Sequence, residues 1–286
     1  MKSTPQSASS QHRGAYGFRL EGLEAADDLL VTAPGSWPAL RVVVERGRAR
    51  VPRDRMDDHT ADLRLQTVDG SIRLERASGR VIFSVPGELT PAALVHPFLA
   101  PAVLVAAHWM GRETFHAGTF VCGGSAWGVL GHKGEGKSTL LAWLAGRGVP
   151  VLADDVLIVD DGHALAGPRS IDLRAGSAAH LGNGEALGRV GARERWRVTL
   201  ATVPASVPLG GFVHLRWADD VAVRRLRGAA KLRALAEHRG VRRDAVDGGG
   251  PLMDLSALPS YEFCRPRDWS SIEAAGEQLL AAVSAS

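Results

Sequence analysis

The sequence contains little cysteine. Only two cysteines, Cys122 and Cys264, occur in 286 residues, and they lie far apart in the chain. A chain of this length buries enough apolar surface to fold without cross-links. The cysteine count therefore argues against a disulfide framework and against a zinc site of four cysteines. It fits a reducing compartment, and we expect a cytoplasmic protein.

Lysine is also scarce. It occurs only at Lys2, Lys133, Lys137 and Lys231, so most of the 34 basic residues are arginines, and 31 acidic residues nearly cancel their charge. This balance does not indicate a nucleic-acid partner. A lysine within a motif is correspondingly more informative in this chain.

Residues 89–111 contain no charged side chain of the Asp, Glu, Lys or Arg type, which is long enough to raise the question of a membrane span. Three prolines interrupt the segment and two histidines dilute it, so the pattern favours a buried helix that begins near Pro97. Residues 1–15 are rich in Ser and Gln without an apolar run, which predicts a disordered tail and no signal peptide. We expect no membrane partner.

The pattern of hydrophobic residues divides the chain near residue 112. Before it, residues 41–45 and 62–85 alternate apolar and polar side chains, which predicts an antiparallel meander with turns at Asp69-Gly70 and Ser78-Gly79. After it, short apolar runs alternate with helical stretches, as is typical of an α/β layer. The fold class is therefore predicted as α/β, with a smaller β-rich N-terminal domain over residues 16–111 and a larger α/β domain over residues 112–286.

The strongest motif is Gly131-His132-Lys133-Gly134-Glu135-Gly136-Lys137-Ser138, a full match to the phosphate-binding loop pattern G-x-x-x-x-G-K-[ST]. An apolar strand is predicted before it and a helix after it, over residues 137–147. Glycines let the backbone N–H groups curl around phosphate oxygens at the positive end of the helix. The predicted nucleotide-binding residues are Gly131, Lys133, Gly134, Glu135, Gly136, Lys137, Ser138 and Thr139. The alternative is a glycine-rich turn with a surface lysine.

The loop chemistry predicts a bound nucleotide and Mg²⁺, with Lys137 on the phosphates and Ser138 on the metal. Asp154 and Asp155 follow the apolar run of residues 149–152, at a strand end where ligands of α/β sheets bind. One carboxylate could hold Mg²⁺ while the other accepts a proton from an attacking hydroxyl. His116 precedes the strand before the loop, although a lone histidine is more often structural than catalytic.

Taken together, these residues resemble the HPr kinase/phosphorylase family. The matching stretch is His116-Ala117-Gly118, then residues 128–139, then Gly148-Val149-Pro150-Val151-Leu152-Ala153-Asp154-Asp155, about forty residues in the same order and spacing. The resemblance implies an HPr-kinase-like, P-loop-containing C-terminal domain. It implies that Asp154 is the general base, that Asp155 joins Ser138 at the metal, and that His116 lies near the phosphates, with the two aspartates exchangeable. It also allows a homo-oligomer, because HPr kinases assemble as rings.

Two features depart from that family. Thr139 stands where HPr kinases usually carry Glu, and their later Glu-x-Arg-Gly signature is absent from the sequence. Residues 168–174, together with the alternating Arg193, Arg195 and Arg197, are more similar to HPr-kinase-related proteins of natural-product gene clusters, including lasso-peptide precursor kinases. The three arginines either clamp a transferring phosphoryl group or form a solvated basic edge.

The predicted function is a phosphotransferase, an ATP- and Mg²⁺-dependent kinase that transfers the γ-phosphoryl group to a hydroxyl, with a serine of a peptide or small protein as the favoured acceptor. A kinase acting on a small-molecule alcohol shares every loop residue and differs only in the acceptor pocket. A non-catalytic regulatory module that binds nucleotide is the third alternative.

Overall fold

The computed structural model describes residues 12–47, 51–65, 68–241 and 250–285, which form a mixed α/β fold with three sheets. The mixed α/β class predicted from the sequence is confirmed at this level. The division into two domains near residue 112 stays a prediction. One hydrophobic core contains residues from both sides of that position.

The first sheet contains eight strands in the order β3-β1-β2-β4-β8-β7-β6-β5. Its strands are β1 (Arg13–Ala15), β2 (Phe18–Glu21), β3 (Val31–Thr32), β4 (Ala39–Arg46), β5 (Arg55–Met56), β6 (Thr60–Arg64), β7 (Ser71–Glu75) and β8 (Arg80–Val85). Alternation along β7 and β8 buries Ile72, Leu74, Val81 and Phe83 on the core side.

Three predictions in this region need correction. The disordered tail was predicted to reach residue 15, but Arg13–Ala15 form β1 because they pair with β2 and β3; residues 1–11 lie outside the described residues. The meander is antiparallel from β5 to β8, whereas β4 runs parallel to β8. Gly79 has φ +62° at the predicted second turn, whereas Gly70 has no positive φ and follows a longer connection.

The uncharged segment folds as a broken helix. It comprises α1 (Pro91–Ala93), a wide helical turn at Leu94–Phe98 and α2 (Ala100–Trp109). Among the described residues no single helix is long and apolar enough to cross a membrane, although Pro91–Phe98 and Ala100–Trp109 pass that test as a pair bent by 60°. The predicted buried helix therefore exists, but it starts at Ala100 after a break.

The second sheet has the order β12-β10-β11-β18-β14-β13-β9, with β20 beside β18 and β19 beside β20. Its strands are β9 (Glu113–Phe115), β10 (Ala117–Cys122), β11 (Ser125–Leu130), β12 (Val151–Ala153), β13 (Leu157–Asp160), β14 (His163–Leu165), β18 (Ser206–Trp217), β19 (Ala222–Arg225) and β20 (Ser260–Arg265). The third sheet is formed by β15 (Ser170–Leu173), β16 (Glu185–Val190) and β17 (Arg193–Thr199).

The remaining helices cover the second and third sheets. They are α3 (Lys137–Gly146), α4 (Ala175–Leu181), α5 (Gly228–Glu237), α6 (Gly250–Ala257) and α7 (Ile272–Ser284). Helix α3 contacts β10, β15 and α7, so its apolar residues are buried on several sides. Gly276 of α7 lies so close to Trp143 that a Cβ there would fall 2.2 Å from the indole ring. This close packing joins the C-terminal half of α3 to α7, and the first turn of α3 carries the site described next.

Candidate active site

The glycine loop, residues 131–136, connects the end of β11 to the start of α3. Gly134 has φ +97° and Gly136 has φ +77°, which are backbone conformations that residues other than glycine rarely adopt. The Glu135 carboxylate accepts a hydrogen bond from the His132 N–H at 2.5 Å, while the Glu135 N–H donates to the His132 carbonyl at 3.1 Å. These contacts hold a tight curve at the N-terminus of the helix, where the helix dipole favours an anion.

Lys137 is buried at the first position of α3. Its Nζ donates to the carbonyl oxygen of Gly131 at 2.5 Å, so the ammonium group lies across the glycine loop. Burial lowers the pKa of Lys137, and the carboxylates of Asp155 and Asp154 partly oppose that shift. A phosphate oxygen that replaced the carbonyl as the partner of Lys137 would meet a cation that is already positioned.

Two side chains from other strands support the glycine loop, and sequence reasoning missed both. Trp217 at the end of β18 donates from Nε1 to the Gly134 carbonyl at 3.1 Å, and Arg265 at the end of β20 donates to the Glu135 carbonyl at 2.5 Å. The Arg265 guanidinium also stacks over the Trp217 ring at 4.4 Å. Burial lowers the pKa of Arg265 to about 10. No local motif marks either residue, because both contacts span more than eighty residues of sequence.

The acidic pair, Asp154 and Asp155, follows β12. Strand β10 pairs antiparallel with both β11 and β12, so these two strands point the same way and end at the same edge of the sheet. There the Ser138 hydroxyl donates to Oδ1 of Asp154 at 3.1 Å. The hydroxyl of Tyr16, from the N-terminal sheet, donates to the backbone carbonyl of Asp154 at 3.3 Å. The two sequence motifs therefore meet in space.

The two carboxylates have different surroundings. Asp154 is 2% exposed, and burial together with the neighbouring Asp155 charge raises its pKa well above the usual range, against hydrogen bonds from Ser138 and from the Asp155 backbone. The Asp155 side chain is 34% exposed, and its backbone has the left-handed φ of +66°. One carboxylate therefore favours the protonated form while the other faces the open side of the site.

His116 lies between β9 and β10, and its N–H donates to the His238 carbonyl at 2.8 Å. The residue as a whole is exposed, but desolvation around its ring lowers its pKa, and the Lys137 charge lowers it further. Asp155 opposes this shift through its charge and a backbone hydrogen bond. The predicted histidine is thus a neighbour of Lys137 and Asp155.

A further histidine, His96, approaches the acidic pair from the broken helix. Its Nε2 lies 3.9 Å from Oδ2 of Asp155 and 3.9 Å from Oδ2 of Asp172 on β15. Burial lowers the pKa of His96, so the neutral imidazole is favoured. No local motif selects His96, which in the sequence only interrupts an apolar segment.

The arginines of β17 reach the same place. Arg195 donates to Oδ2 of Asp172 at 3.3 Å, and Arg197 donates to both Asp172 oxygens at 2.9 and 3.2 Å. Both arginines are buried, whereas Arg193 is exposed. The prediction of a solvated basic edge is therefore wrong for Arg195 and Arg197, because their guanidinium groups pair with a buried carboxylate.

Two other residues that were predicted to bind nucleotide are not hydrogen-bonded to the acidic pair in the described part of the chain. Lys133 is exposed on the glycine loop, and the Thr139 hydroxyl is hydrogen-bonded to the Ser177 hydroxyl of α4 at 2.9 Å. The donors that converge are the Ser138 hydroxyl, two carboxylates and the His96 imidazole. One ligand atom from each of His96, Asp154 and Asp155 lies within 4.8 Å of the others, so the chemistry of this set fits a divalent cation.

The chain matches no protein-family model, and no curated protein matches it. Among solved structures it is similar to the Hpr(Ser) kinase/phosphatase from Coxiella burnetii, with a TM-score of 0.31 and 12% sequence identity. That similarity covers 59% of this chain and 95% of that chain. A likeness at this level does not establish a family or an activity.

Proposed function

We propose that this protein is an ATP- and Mg²⁺-dependent kinase that transfers the γ-phosphoryl group to a hydroxyl, with a serine of a peptide or small protein as the acceptor. The observation that carries the proposal is the hydrogen bond between Ser138 and Asp154. It joins a helix-capping glycine loop to a pair of carboxylates, which are the two components that phosphoryl transfer needs at one place.

The residues of the chain divide the work by their positions. The N–H groups of the glycine loop and the Lys137 ammonium would bind the phosphates and neutralise their charge. Ser138 and Asp155 would hold the cation, which supplies electrostatic stabilisation of the triphosphate when bound. His116 would orient the same phosphates from the side of Lys137 and Asp155.

Asp154 would accept the proton of the attacking hydroxyl. Burial and the Asp155 charge raise its pKa, whereas the Lys137 ammonium and a bound cation would favour the ionised carboxylate that general-base catalysis needs. The proton would move from the acceptor hydroxyl to a carboxylate oxygen as the new phosphorus–oxygen bond forms, while the bond between the γ-phosphorus and the bridging oxygen of the β-phosphate breaks and ADP leaves.

The experiment measures transfer of labelled phosphate from ATP to a panel of hydroxyl acceptors. Asp154→Asn should lower the transfer rate by about 10²–10⁴-fold while nucleotide still binds, because the neutral amide cannot accept the proton. Lys137→Met should weaken nucleotide binding itself. Asp161→Asn is the matched control, since Asp161 is exposed in a turn and should leave transfer unchanged.

Two outcomes would contradict the proposal. If Asp154→Asn keeps full transfer while Asp155→Asn loses it, the roles of the two aspartates are exchanged. If the wild-type chain binds ATP but transfers phosphate to none of the peptide or small-molecule hydroxyls, the protein is a nucleotide-binding module. The 2% exposure of Asp154 favours that second function, because a module needs no access to this carboxylate.

A further inference from the structure

The imidazole of His96 lies beside the acidic pair without a hydrogen-bond partner at Nε2 among the described residues. His96 is 2% exposed and has an extended backbone, with φ −150° and ψ 120°, within the helical turn Leu94–Phe98. A buried polar atom normally has a partner, because leaving it unpaired costs free energy. The Nε2 atom therefore indicates that something else binds at this position.

The distances around Nε2 suit an ion between the side chains. Oδ2 of Asp155 lies 3.9 Å away, too far for a hydrogen bond. Two ligands that bind one ion at about 2.0–2.2 Å lie roughly 3–4 Å apart, which matches this separation. Asp154 is also close enough for its charge to stabilise a cation here.

The other carboxylate near His96 is already engaged. Oδ2 of Asp172 accepts hydrogen bonds from both Arg195 and Arg197. Asp172 is therefore neutralised by two guanidinium groups, and Asp155 is the carboxylate that remains for a cation. The ligand set that results contains one nitrogen and carboxylate oxygens.

We propose that His96 is the nitrogen ligand of a divalent cation that it shares with Asp155, and that this site binds Mn²⁺ more tightly than Mg²⁺. Imidazole nitrogen suits first-row transition ions, whereas Mg²⁺ prefers an all-oxygen environment. This inference deepens the proposed function, because the cation lies at the same acidic pair. It also assigns part of the site to the N-terminal half of the chain.

The experiment uses the full chain and Mn²⁺ alone, with no nucleotide, so that it does not depend on phosphoryl transfer. Electron spin echo spectroscopy of bound Mn²⁺ should show coupling to ¹⁴N, and protein labelled with ¹⁵N-histidine should show the corresponding ¹⁵N coupling. Titration calorimetry should give tighter binding of Mn²⁺ than of Mg²⁺. Absence of nitrogen coupling in the wild-type chain would overturn the proposal.

Variants identify the histidine. His96→Gln should abolish the nitrogen coupling and weaken Mn²⁺ binding at least about tenfold, and Asp155→Asn should weaken binding by a comparable factor. His163→Gln is the control, because His163 is exposed and bonded to the Asp161 carbonyl. Persistent coupling in folded His96→Gln protein would reject the assignment. Should that variant not fold, His116→Gln decides it, because removal of the other imidazole near Asp155 should leave the nitrogen coupling unchanged.

Failure of this inference and failure of the proposed function give different results. Lys137→Met should retain the nitrogen coupling even when it no longer binds nucleotide. Transfer activity without nitrogen coupling would leave the kinase in place and reject His96 as a ligand. Nitrogen coupling without any transfer would keep the cation site and reject the kinase.

Discussion

At the scale of single residues, the carboxylate of Asp154 costs folding free energy. It lies inside the protein beside a second carboxylate, and both factors disfavour its charged form. Active sites commonly carry such a cost in folding free energy. Replacement of the aspartate by the neutral asparagine, which has nearly the same shape, relieves it. Asp154 therefore links the stability of the cation-free protein to its proposed role.

We predict that Asp154→Asn stabilises the cation-free protein by on the order of 1 kcal/mol at neutral pH, a rise in Tm of about 2–4 °C. The folded carboxyl holds its proton to a higher pH than the unfolded one, so wild-type stability falls as pH rises from the ordinary Asp pKa through the raised folded pKa. The advantage of the variant should grow across that window. Thermal unfolding of both proteins at a series of pH values measures it.

The result against this prediction would be an advantage that is unchanged or smaller at higher pH. Asp161→Asn serves as the reference, because Asp161 is exposed in the turn between β13 and β14. That substitution should shift Tm equally little at every pH.

The sequence predicts those site residues that belong to a contiguous motif. Lys137, Ser138 and the acidic pair follow from local spacing, and in the structure Ser138 and Asp154 touch. His96, Trp217 and Arg265 reach the site through strand pairing and through a helical break, which no local pattern encodes.

At the scale of elements, Arg197 fastens the broken helix to the third sheet. Its guanidinium donates to the carbonyl oxygens of Ala92 at 3.1 Å and His96 at 2.7 Å, while it pairs with Asp172. One side chain thus satisfies a buried carboxylate and two backbone acceptors at a helix break. The position of His96 depends on this contact.

We predict that Arg197→Met destabilises the protein by about 3–5 kcal/mol, because it leaves a buried carboxylate short of a partner and orphans two carbonyl groups. Denaturant unfolding measures the change. The control is Arg193→Met on the same strand, where the exposed side chain should change stability by less than about 0.5 kcal/mol. Equal effects of the two substitutions would show that Arg197 does not hold the broken helix.

The positions of many elements followed from periodicity, whereas their partners did not. The helix predicted over residues 137–147 is observed at Lys137–Gly146, and the apolar strand predicted before the glycine loop is observed at Ser125–Leu130. The parallel pairing of β4 with β8 was not anticipated, since alternation defines the faces of a strand but not its direction. Charge and hydropathy could not locate the break before Ala100 either.

At the scale of the whole molecule, one core crosses the predicted boundary near residue 112. Residues of the first sheet and the broken helix pack with Ala153, Val156, Ile158 and Leu165 in a single hydrophobic cluster. Phe83 belongs to this cluster, and Phe263 belongs to a second one around α3. Because both clusters contain a residue of β12, Ala153 in the first and Val151 in the second, we expect them to unfold together.

We predict a single calorimetric transition for the full chain. Phe83→Ala and Phe263→Ala should each destabilise it by about 3–5 kcal/mol, and each should move the same transition to lower temperature. Two separate transitions, each sensitive to only one of the substitutions, would show that the halves fold independently. Val44→Ala, at a partly exposed position on β4, is the control and should shift the transition little.

The left-handed backbone of Asp155 limits which amino acids evolution can place there. At φ +66° asparagine and glycine fit with little strain, whereas glutamate or a branched residue does not. Replacement by asparagine or glycine would remove the negative charge while preserving the chain path. A variant that loses the acid in this way should still keep the bend after β12, and so should retain the backbone shape of the site after its chemistry has gone.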